Sequence, residues 1–179
     1  VAERERAEHL QSALFQIAEL SSQPGDMAEL FQTLHGIVGD LLFAQNFYIA
    51  LFDDTTTEVT FPYYVDDRQT TCPSARRGRR GLTEYVIRQR RPCFIDADEA
   101  ERLHVHGEIE IAEECYRSYS WLGIPLFDGD VVRGVLAVQS YTSQVRYTLR
   151  DQELLTFVSR HIDTALPRRT AAEAIHSAN

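Results

Sequence analysis

The three cysteines are the side chains with the most obvious capacity for covalent chemistry. Cys72, Cys93 and Cys115 lie far apart in the chain, their number is odd, and no two of them form a C-x-x-C pair. This spacing indicates neither a disulfide framework nor a zinc ribbon. We therefore expect reduced thiols, as is usual in the cytosol.

A second group of candidate ligands surrounds His104 and His106. Together with Cys115 or Glu108, these histidines offer donor types that bind transition metals. They are separated by one residue at the start of a weakly patterned helix, and this spacing directs their rings to different faces. We predict solvated histidines and no metal site. The chain also has no glycine-rich loop that follows a strand and opens a helix, and residue order identifies no Ser/His/Asp set.

Seven arginines are concentrated in ARRGRRG and RQRRP, within residues 75–92. The whole chain carries a formal net charge of −9, which argues against a nucleic-acid-binding surface over its body. A solvated loop and helix face is our preferred interpretation of the arginines. The alternatives are an anion-attracting rim over a pocket and a contact for an acidic output domain.

The length and composition fit one globular domain with a single core. The chain has 179 residues, of which 44% are hydrophobic. No apolar run approaches the roughly 18 residues of a membrane span, and no signal-peptide pattern is present, so we expect a cytoplasmic location. The chain begins at Val1 and its only methionine is Met27, which suggests a piece of a longer polypeptide.

Hydrophobic periodicity predicts helices at both ends of the chain and antiparallel strands between them. Pro62 removes a hydrogen-bond donor from the second strand, so we place that strand at a sheet edge. The turn Asp128–Asp130 joins two apolar runs as a β-hairpin, because these residues tolerate positive φ. The predicted elements are helices over 3–20 and 26–42, strands over 46–53 and 59–66, a helix over 81–91, a strand over 93–96, a helix over 98–116, a hairpin over 120–140 and a helix from 148 onward. This order predicts an α+β fold.

Five stretches of the chain occur in an order that resembles GAF domains of bacterial signalling proteins. They are NFYIALFD, FPYYVDD, GLTEYVIRQRRPCFID, SWLGIPLFDGDVVRGVLAVQSY and YTLRDQELLTFVSRHIDTAL. The resemblance covers residues 14–166 and is closest to GAF domains upstream of diguanylate cyclase (GGDEF), phosphodiesterase or histidine kinase modules. It implies a signalling and dimerisation helix over 1–22, the GAF domain over 23–166 and the start of a helical linker over 167–179. It also implies a central antiparallel sheet with terminal helices on one face and a ligand pocket on the other.

Strand alternation assigns the residues of the hairpin to these two faces. Leu122, Ile124 and Leu126 suit the helical core. The opposite side combines an aromatic wall, an amide and small residues that leave volume for a planar or polar molecule. Its members are Trp121, Gly123, Pro125, Ala137 and Gln139. The further predicted walls are Tyr63, Tyr64, Leu82, Tyr85 and Tyr141.

Two ligand classes known in the family do not fit these residues. GAF domains that bind cyclic nucleotides carry an Asn-Lys pair, a later Phe and an Asp-Glu pair, and this chain has Gln139-Ser140, Tyr147 and Asp151-Gln152 at the corresponding positions. GAF domains that attach a bilin use a cysteine with a neighbouring histidine, and no cysteine here has one. We therefore expect no resident cofactor and an unidentified small ligand.

The free methionine sulfoxide reductases are an enzymatic branch of the same family. They carry acidic residues where this chain has Trp121, Ala137 and Gln139, so an amino-acid ammonium group would lack its counter-charges. We predict a non-catalytic sensory domain that passes a ligand signal to an attached enzyme. A ligandless dimerisation and relay module is the main alternative. The resemblance implies a homodimer, and the predicted dimer seam consists of Leu14, Phe15, Ile17, Ile162, Ala165 and Leu166.

Overall fold

The structure, a computed structural model, describes residues 2–23, 25–112 and 117–178, with side chains up to residue 166. The elements, in chain order, are α1 (Ala2–Ser22), α2 (Met27–Gly39), β1 (Asn46–Asp53), β2 (Glu58–Val65), α3 (Leu82–Gln89), β3 (Cys93–Asp96), α4 (Ala97–Val105), β4 (Ser120–Asp128), β5 (Val131–Ser140) and α5 (Leu149–Ala178). No helix among the described residues is long and apolar enough to cross a membrane.

The five strands form one sheet in the order β2-β1-β5-β4-β3, and all the neighbouring pairs are antiparallel. The predicted hairpin is confirmed as β4 and β5, and its turn places Gly129 at φ 60°. β2 is an edge strand, as Pro62 predicted. The predicted α+β class with an antiparallel sheet is therefore confirmed.

One face of the sheet is sealed by α1, α2 and α5. Leu122, Ile124 and Leu126 of β4 belong to the same buried cluster as Phe31 of α2 and Leu155 of α5. Each of these side chains is fully buried, and such burial contributes about 1.5–3 kcal/mol per side chain. The start of α2 is fixed by Asp26, whose carboxylate accepts hydrogen bonds from backbone N–H groups in the first turn of the helix.

The opposite face carries a second, smaller cluster. It contains Trp121 from β4 and Ala137 from β5, together with Val86 of α3 and Leu103 of α4. Here α3 and α4 cover only part of the sheet. The two faces of the hairpin are therefore unlike, as the alternation of its residues predicted.

A β-bulge in β2 separates two adjacent sets of aromatic residues. Ile49 pairs with Tyr63 and Leu51 pairs with Thr60, so the single residue Ala50 lies opposite two residues of β2, Phe61 and Pro62. The extra residue turns Phe61 to the same face as Tyr64, and Tyr63 points to the other face.

Two predicted helix boundaries are wrong. The helix predicted over 98–116 is α4, which ends at Val105, and Gly107 with φ 74° follows it. Glycine at positive φ is a common helix stop, which explains the early end. Within α2, the helix ends at Gly39, so Leu41 and Leu42 pack on the core from the following loop.

Candidate functional site

A cavity of about 510 Å³ opens on the face of the sheet that the terminal helices do not cover. The size lies within the range of small-molecule sites, which is about 300–1,000 Å³. Its apolar walls are the aromatic side chains of β1, β2 and β4, namely Tyr48, Phe61, Tyr64 and Trp121. The remaining lining comes from the loop over 69–81, the start of α3, α4, the segments beside 113–116, and Gln139 and Tyr141 at the end of β5.

Trp121 forms the floor of the cavity and lies flat over Gly123. The indole is 1% exposed, and a Cβ at position 123 would stand 2.2 Å from its Cη2 atom. The ring occupies the space that a side chain would take. Gly123 therefore does not leave volume for a ligand, which corrects the expectation from the sequence. Glycine allows the indole to rest on the strand.

Tyr48 stands beside this floor, buried and hydrogen bonded. Its hydroxyl lies 2.8 Å from the Thr83 hydroxyl at the start of α3. Burial raises the pKa of Tyr48 to about 12, with Thr83 acting in the opposite direction. The phenol is therefore neutral at physiological pH and serves as a hydrogen-bonding group.

Asp66 organises one polar edge of the cavity. One of its oxygens, Oδ2, accepts hydrogen bonds from the Gln139 amide at 2.9 Å and from the Tyr141 hydroxyl at 2.7 Å. The other, Oδ1, accepts from the backbone N–H groups of Arg68 and Gln69. A carboxylate only accepts, so it must face the NH₂ group of Gln139. The amide oxygen of Gln139 is left as an acceptor. Burial, and then the bond to Asp66, raise the pKa of Tyr141.

Glu84 fastens the arginine-rich loop to the start of α3. The guanidinium of Arg76 donates to both Glu84 oxygens at 2.8 Å, and the backbone N–H of Gly81 donates to Glu84 Oε1 at 3.1 Å. Arg76 also covers the Phe61 ring, with its guanidinium carbon 5.1 Å from the ring centroid. Paired, bidentate contacts of this kind hold the loop in one arrangement.

The other arginines of this region divide into two groups. Arg79, Arg80 and Arg117 line the cavity. Arg77 pairs with Glu58, and Arg88 donates to the Glu108 carbonyl outside the lining. Arg79 and Arg80 are exposed and also line the cavity, so the solvated face and the rim over a pocket both remain predictions for them.

Half of the predicted pocket residues line the cavity. These are Tyr64, Leu82, Trp121, Gln139 and Tyr141. Three others, Gly123, Ala137 and Tyr85, lie beneath or behind the lining on the same face. Pro125 is buried opposite Val135, further along β4 and outside the lining.

Tyr63 is the one predicted wall on the wrong face. Its hydroxyl lies 2.7 Å from Nδ1 of His35, and it packs on the helical core. Adjacent residues of a strand point to opposite faces, so Tyr63 and Tyr64 cannot share a pocket. The sequence analysis missed Tyr48 and Phe61. Strand alternation could have identified Tyr48, whereas Phe61 depends on the bulge.

Three of the six predicted seam residues are unavailable for a dimer contact. Ile17, Ile162 and Ala165 are each 0% exposed within a single chain, because α1 and α5 pack on each other and on the sheet. Leu14 and Leu166 are partly buried against the same core. Phe15 is 64% exposed and faces away from it.

The metal and thiol candidates are dispersed. No group of three His, Cys, Asp or Glu side chains suited to a metal occurs in the described ranges. His104 and His106 are each near a backbone carbonyl. Cys72 is exposed, Cys93 is buried in β3 with its pKa raised by burial, and neither lines the cavity. Cys115 lies outside the described residues.

A profile of the GAF domain family matches residues 25–166, which is most of the chain. The chain belongs to the GAF domain family. No curated protein sequence matches this GAF domain.

Solved structures share the fold of this GAF domain at low identity. The GAF domain of a phosphoenolpyruvate-protein phosphotransferase from Coxiella burnetii has a TM-score of 0.73 at 17% identity, covering 94% of this chain and 98% of that one. Free methionine-R-sulfoxide reductase from Neisseria meningitidis, in complex with its substrate, has a TM-score of 0.69 at 17% identity and 91% coverage of both chains. The GAF domain of a sensor histidine kinase from Bacillus halodurans has a TM-score of 0.63 at 13% identity, covering 82% and 98%.

Proposed function

We propose that this GAF domain is a cytoplasmic sensory module that binds a small molecule in the cavity over Trp121 and has no catalytic activity of its own. The signal would pass through α1 and α5 to an attached output enzyme, a diguanylate cyclase or a histidine kinase. The observation that carries this proposal is the cavity itself, because it lies across the sheet from the terminal helices and has both aromatic and polar walls.

The arrangement supports binding more than catalysis. Two polar side chains that line the cavity already have partners within the fold, in the pairs Tyr48–Thr83 and Gln139–Asp66. No described cysteine lines it, although reductases are among the structures that share the fold. A thiol mechanism needs a reactive sulfur within reach of the substrate.

Signal transfer would be a shift between two arrangements of the helices. A ligand changes an equilibrium only if it binds one state better than the other. Trp121 and Leu122 are adjacent on β4 and point to opposite faces, so a displaced floor also moves the strand on which α5 packs. The exposed Phe15 on α1 is the residue of the predicted seam that remains available for a homodimer.

The proposal is tested by filling the cavity from a helix that does not touch the terminal helices. Ala100 lines the cavity from α4, so Ala100→Phe should occupy ligand space. Native mass spectrometry of freshly purified protein should show a bound small molecule in the wild type and none in the variant. Ala28→Phe, on the exposed side of α2, is the matched control and should retain the molecule.

Two results would contradict this function. If the wild type carries no small molecule, and no compound of a metabolite library raises its Tm, the ligandless relay module is the better description. If the purified domain reduces free methionine sulfoxide, and replacing Cys72, Cys93 and Cys115 together abolishes that activity, the domain is an enzyme.

A further inference from the structure

The arginines that line the cavity differ in their partners. Among the described residues there are four, at positions 76, 79, 80 and 117. Two of them are neutralised within the fold. Arg76 is paired with Glu84 at 2.8 Å, and Arg117 is paired with Glu101 at 3.0 Å.

Neither of the other two arginines is paired with a carboxylate within the described residues. Arg80 donates to the backbone carbonyl of Gly107 at 3.1 Å, which leaves its charge uncompensated by that contact. Glu110 lies next to Arg80 in space, because its backbone N–H donates a hydrogen bond to the Arg80 carbonyl oxygen. Arg79 makes no hydrogen bond or ion pair within the described part of the chain, although it lines the cavity. Within the described residues, Arg79 is therefore the lining arginine whose side chain has no polar partner.

Asp66 is held by partners of its own. Its carboxylate accepts four hydrogen bonds, from Gln139, Tyr141 and two backbone N–H groups. Arg68 lies over the Tyr141 ring at 5.7 Å on the same edge. Glu84 likewise accepts from the backbone N–H of Gly81, the residue that precedes α3, so a carboxylate already occupies the amino end of that helix.

The apolar part of the cavity favours a flat ligand. Tyr48 and Tyr64 are stacked with centroids 5.5 Å apart, and Phe61 meets both rings edge-on. Trp121 lies flat on its strand, as described above. Such aromatic walls gain most from a planar apolar group in offset or edge contact.

We propose that the cavity binds a planar aromatic carboxylate, with its ring against Trp121, Tyr48 and Tyr64 and its carboxylate paired with Arg79. This inference rests on the proposed function and names the ligand class. Arg79 suits the role because its guanidinium offers paired donors to a carboxylate and is not committed elsewhere. The ring supplies the apolar contact, and the carboxylate supplies an anionic partner for Arg79.

Trp121 makes a direct test practical, because it is the only tryptophan of the chain. Its emission reports any molecule that reaches the cavity floor. Three probes separate the contributions: benzoate has the ring and the charge, benzyl alcohol has a similar ring without the charge, and propionate has the charge without the ring. We expect benzoate to change the emission with a Kd at least tenfold lower than either other probe.

Two arginine variants separate the specific contact from the general charge of the loop. Arg79→Gln should raise the benzoate Kd by about tenfold or more, the usual scale for losing a hydrogen bond to a charged group. It should leave the benzyl alcohol Kd unchanged. Arg77→Gln is the matched control, since Arg77 pairs with Glu58 and does not line the cavity. Both substitutions remove one charge from an exposed side chain, so both proteins should fold.

The outcomes distinguish this proposal from the proposed function. Equal Kd values for benzoate and benzyl alcohol, or equal effects of Arg79→Gln and Arg77→Gln, would overturn the aromatic-carboxylate proposal and leave the pocket intact. If no probe alters the Trp121 emission while native mass spectrometry detects another bound molecule, the ligand class is wrong but the sensory function stands. If neither experiment detects any ligand, both proposals fail.

Discussion

Replacing Gly123 by alanine should move the floor of the cavity. The new Cβ would stand 2.2 Å from Trp121 Cη2 and 2.5 Å from Cζ3. Ordinary carbon contacts are about 3.5–4.0 Å, so the indole must rise by roughly 1.5 Å into the cavity. Overpacking a buried site typically costs 1–3 kcal/mol. We expect about 2 kcal/mol, which lowers the Tm by roughly 4–8 °C in a domain of this size.

Two other glycines provide controls with different physical causes. At Gly134 a Cβ would stand 2.1 Å from the backbone oxygen of Ala50, so Gly134→Ala should force β5 from β1 and destabilise the protein at least as much. At Gly36, exposed within α2, a Cβ meets nothing within 4 Å. Gly36→Ala should raise the free energy of unfolding by about 0.5–1 kcal/mol, because alanine is the better helix former.

Urea unfolding and Trp121 emission together check this reasoning. Gly123→Ala should lose stability and shift the Trp121 emission to longer wavelength, because the indole is displaced from its buried position over residue 123. Gly134→Ala should lose stability with little spectral change. If Gly123→Ala keeps both the wild-type stability and the wild-type emission, the indole does not rest on Gly123, and the description of the cavity floor is wrong.

Three further predictions concern groups outside the aromatic floor. Asp163 has its pKa raised by burial to about 6, so its contribution to stability is full below pH 4 and is lost as pH rises through 6. Asp163→Asn should therefore stabilise the protein by about 1 kcal/mol at pH 7.5, after discounting for solvent screening, and not at pH 4. Glu84→Gln should cost about 1–3 kcal/mol in urea unfolding and speed trypsin cleavage near Arg76, because the guanidinium loses its paired carboxylate. Cys72 should react with a thiol reagent in the native protein much faster than the buried Cys93.

Each of these predictions has its own control. Phe127 donates its backbone N–H to Asp163 Oδ1 at 2.9 Å, and asparagine keeps that acceptor, so an equal gain at both pH values would refute the assigned pKa. Glu99→Gln breaks an exposed pair with Arg102 and should cost under about 0.5 kcal/mol; an equal cost at Glu84 would contradict its structural role. The thiol measurement uses Cys115→Ser protein, and equal reaction rates would place Cys93 at the surface.

The hairpin shows how much of the fold the sequence can predict. Its two apolar runs and the Asp-Gly-Asp turn predict the pairing, and alternation predicts the identity of each face. The register, which shifts between Leu126 and Phe127, was not predicted. Pro62 likewise predicted that β2 lies at the sheet edge, because proline lacks the backbone N–H that a central strand would need. These features depend on neighbours in the sequence, so a single sequence was enough for them.

The errors arise where the outcome depends on residues distant in the chain. Phe61 reaches the cavity face through one extra residue in β2, and nothing local in VTFPYYVD marks that bulge. The Tyr63 error, by contrast, is local, because alternation alone separates Tyr63 from Tyr64. Ile17 and Ile162 each belong to an apolar pattern that fits either a coiled-coil seam or the core of a monomer. In the structure both are buried in the core of the single chain. The arginine loop was ambiguous because Glu84, eight residues after Arg76, decides which guanidinium remains unpaired.

The strand β4 is the physical link on which the proposed relay depends. It presents Trp121 to the cavity and Leu122 to the helical core, and Asp163 of α5 accepts a hydrogen bond from Phe127 at its far end. A ligand that displaces the indole therefore acts on a strand that α5 contacts by packing and by a hydrogen bond. We expect benzoate to change amide hydrogen exchange in both β4 and α5. A change confined to the residues that line the cavity would mean that β4 does not transmit the displacement, and the sensory domain would need another route to its output.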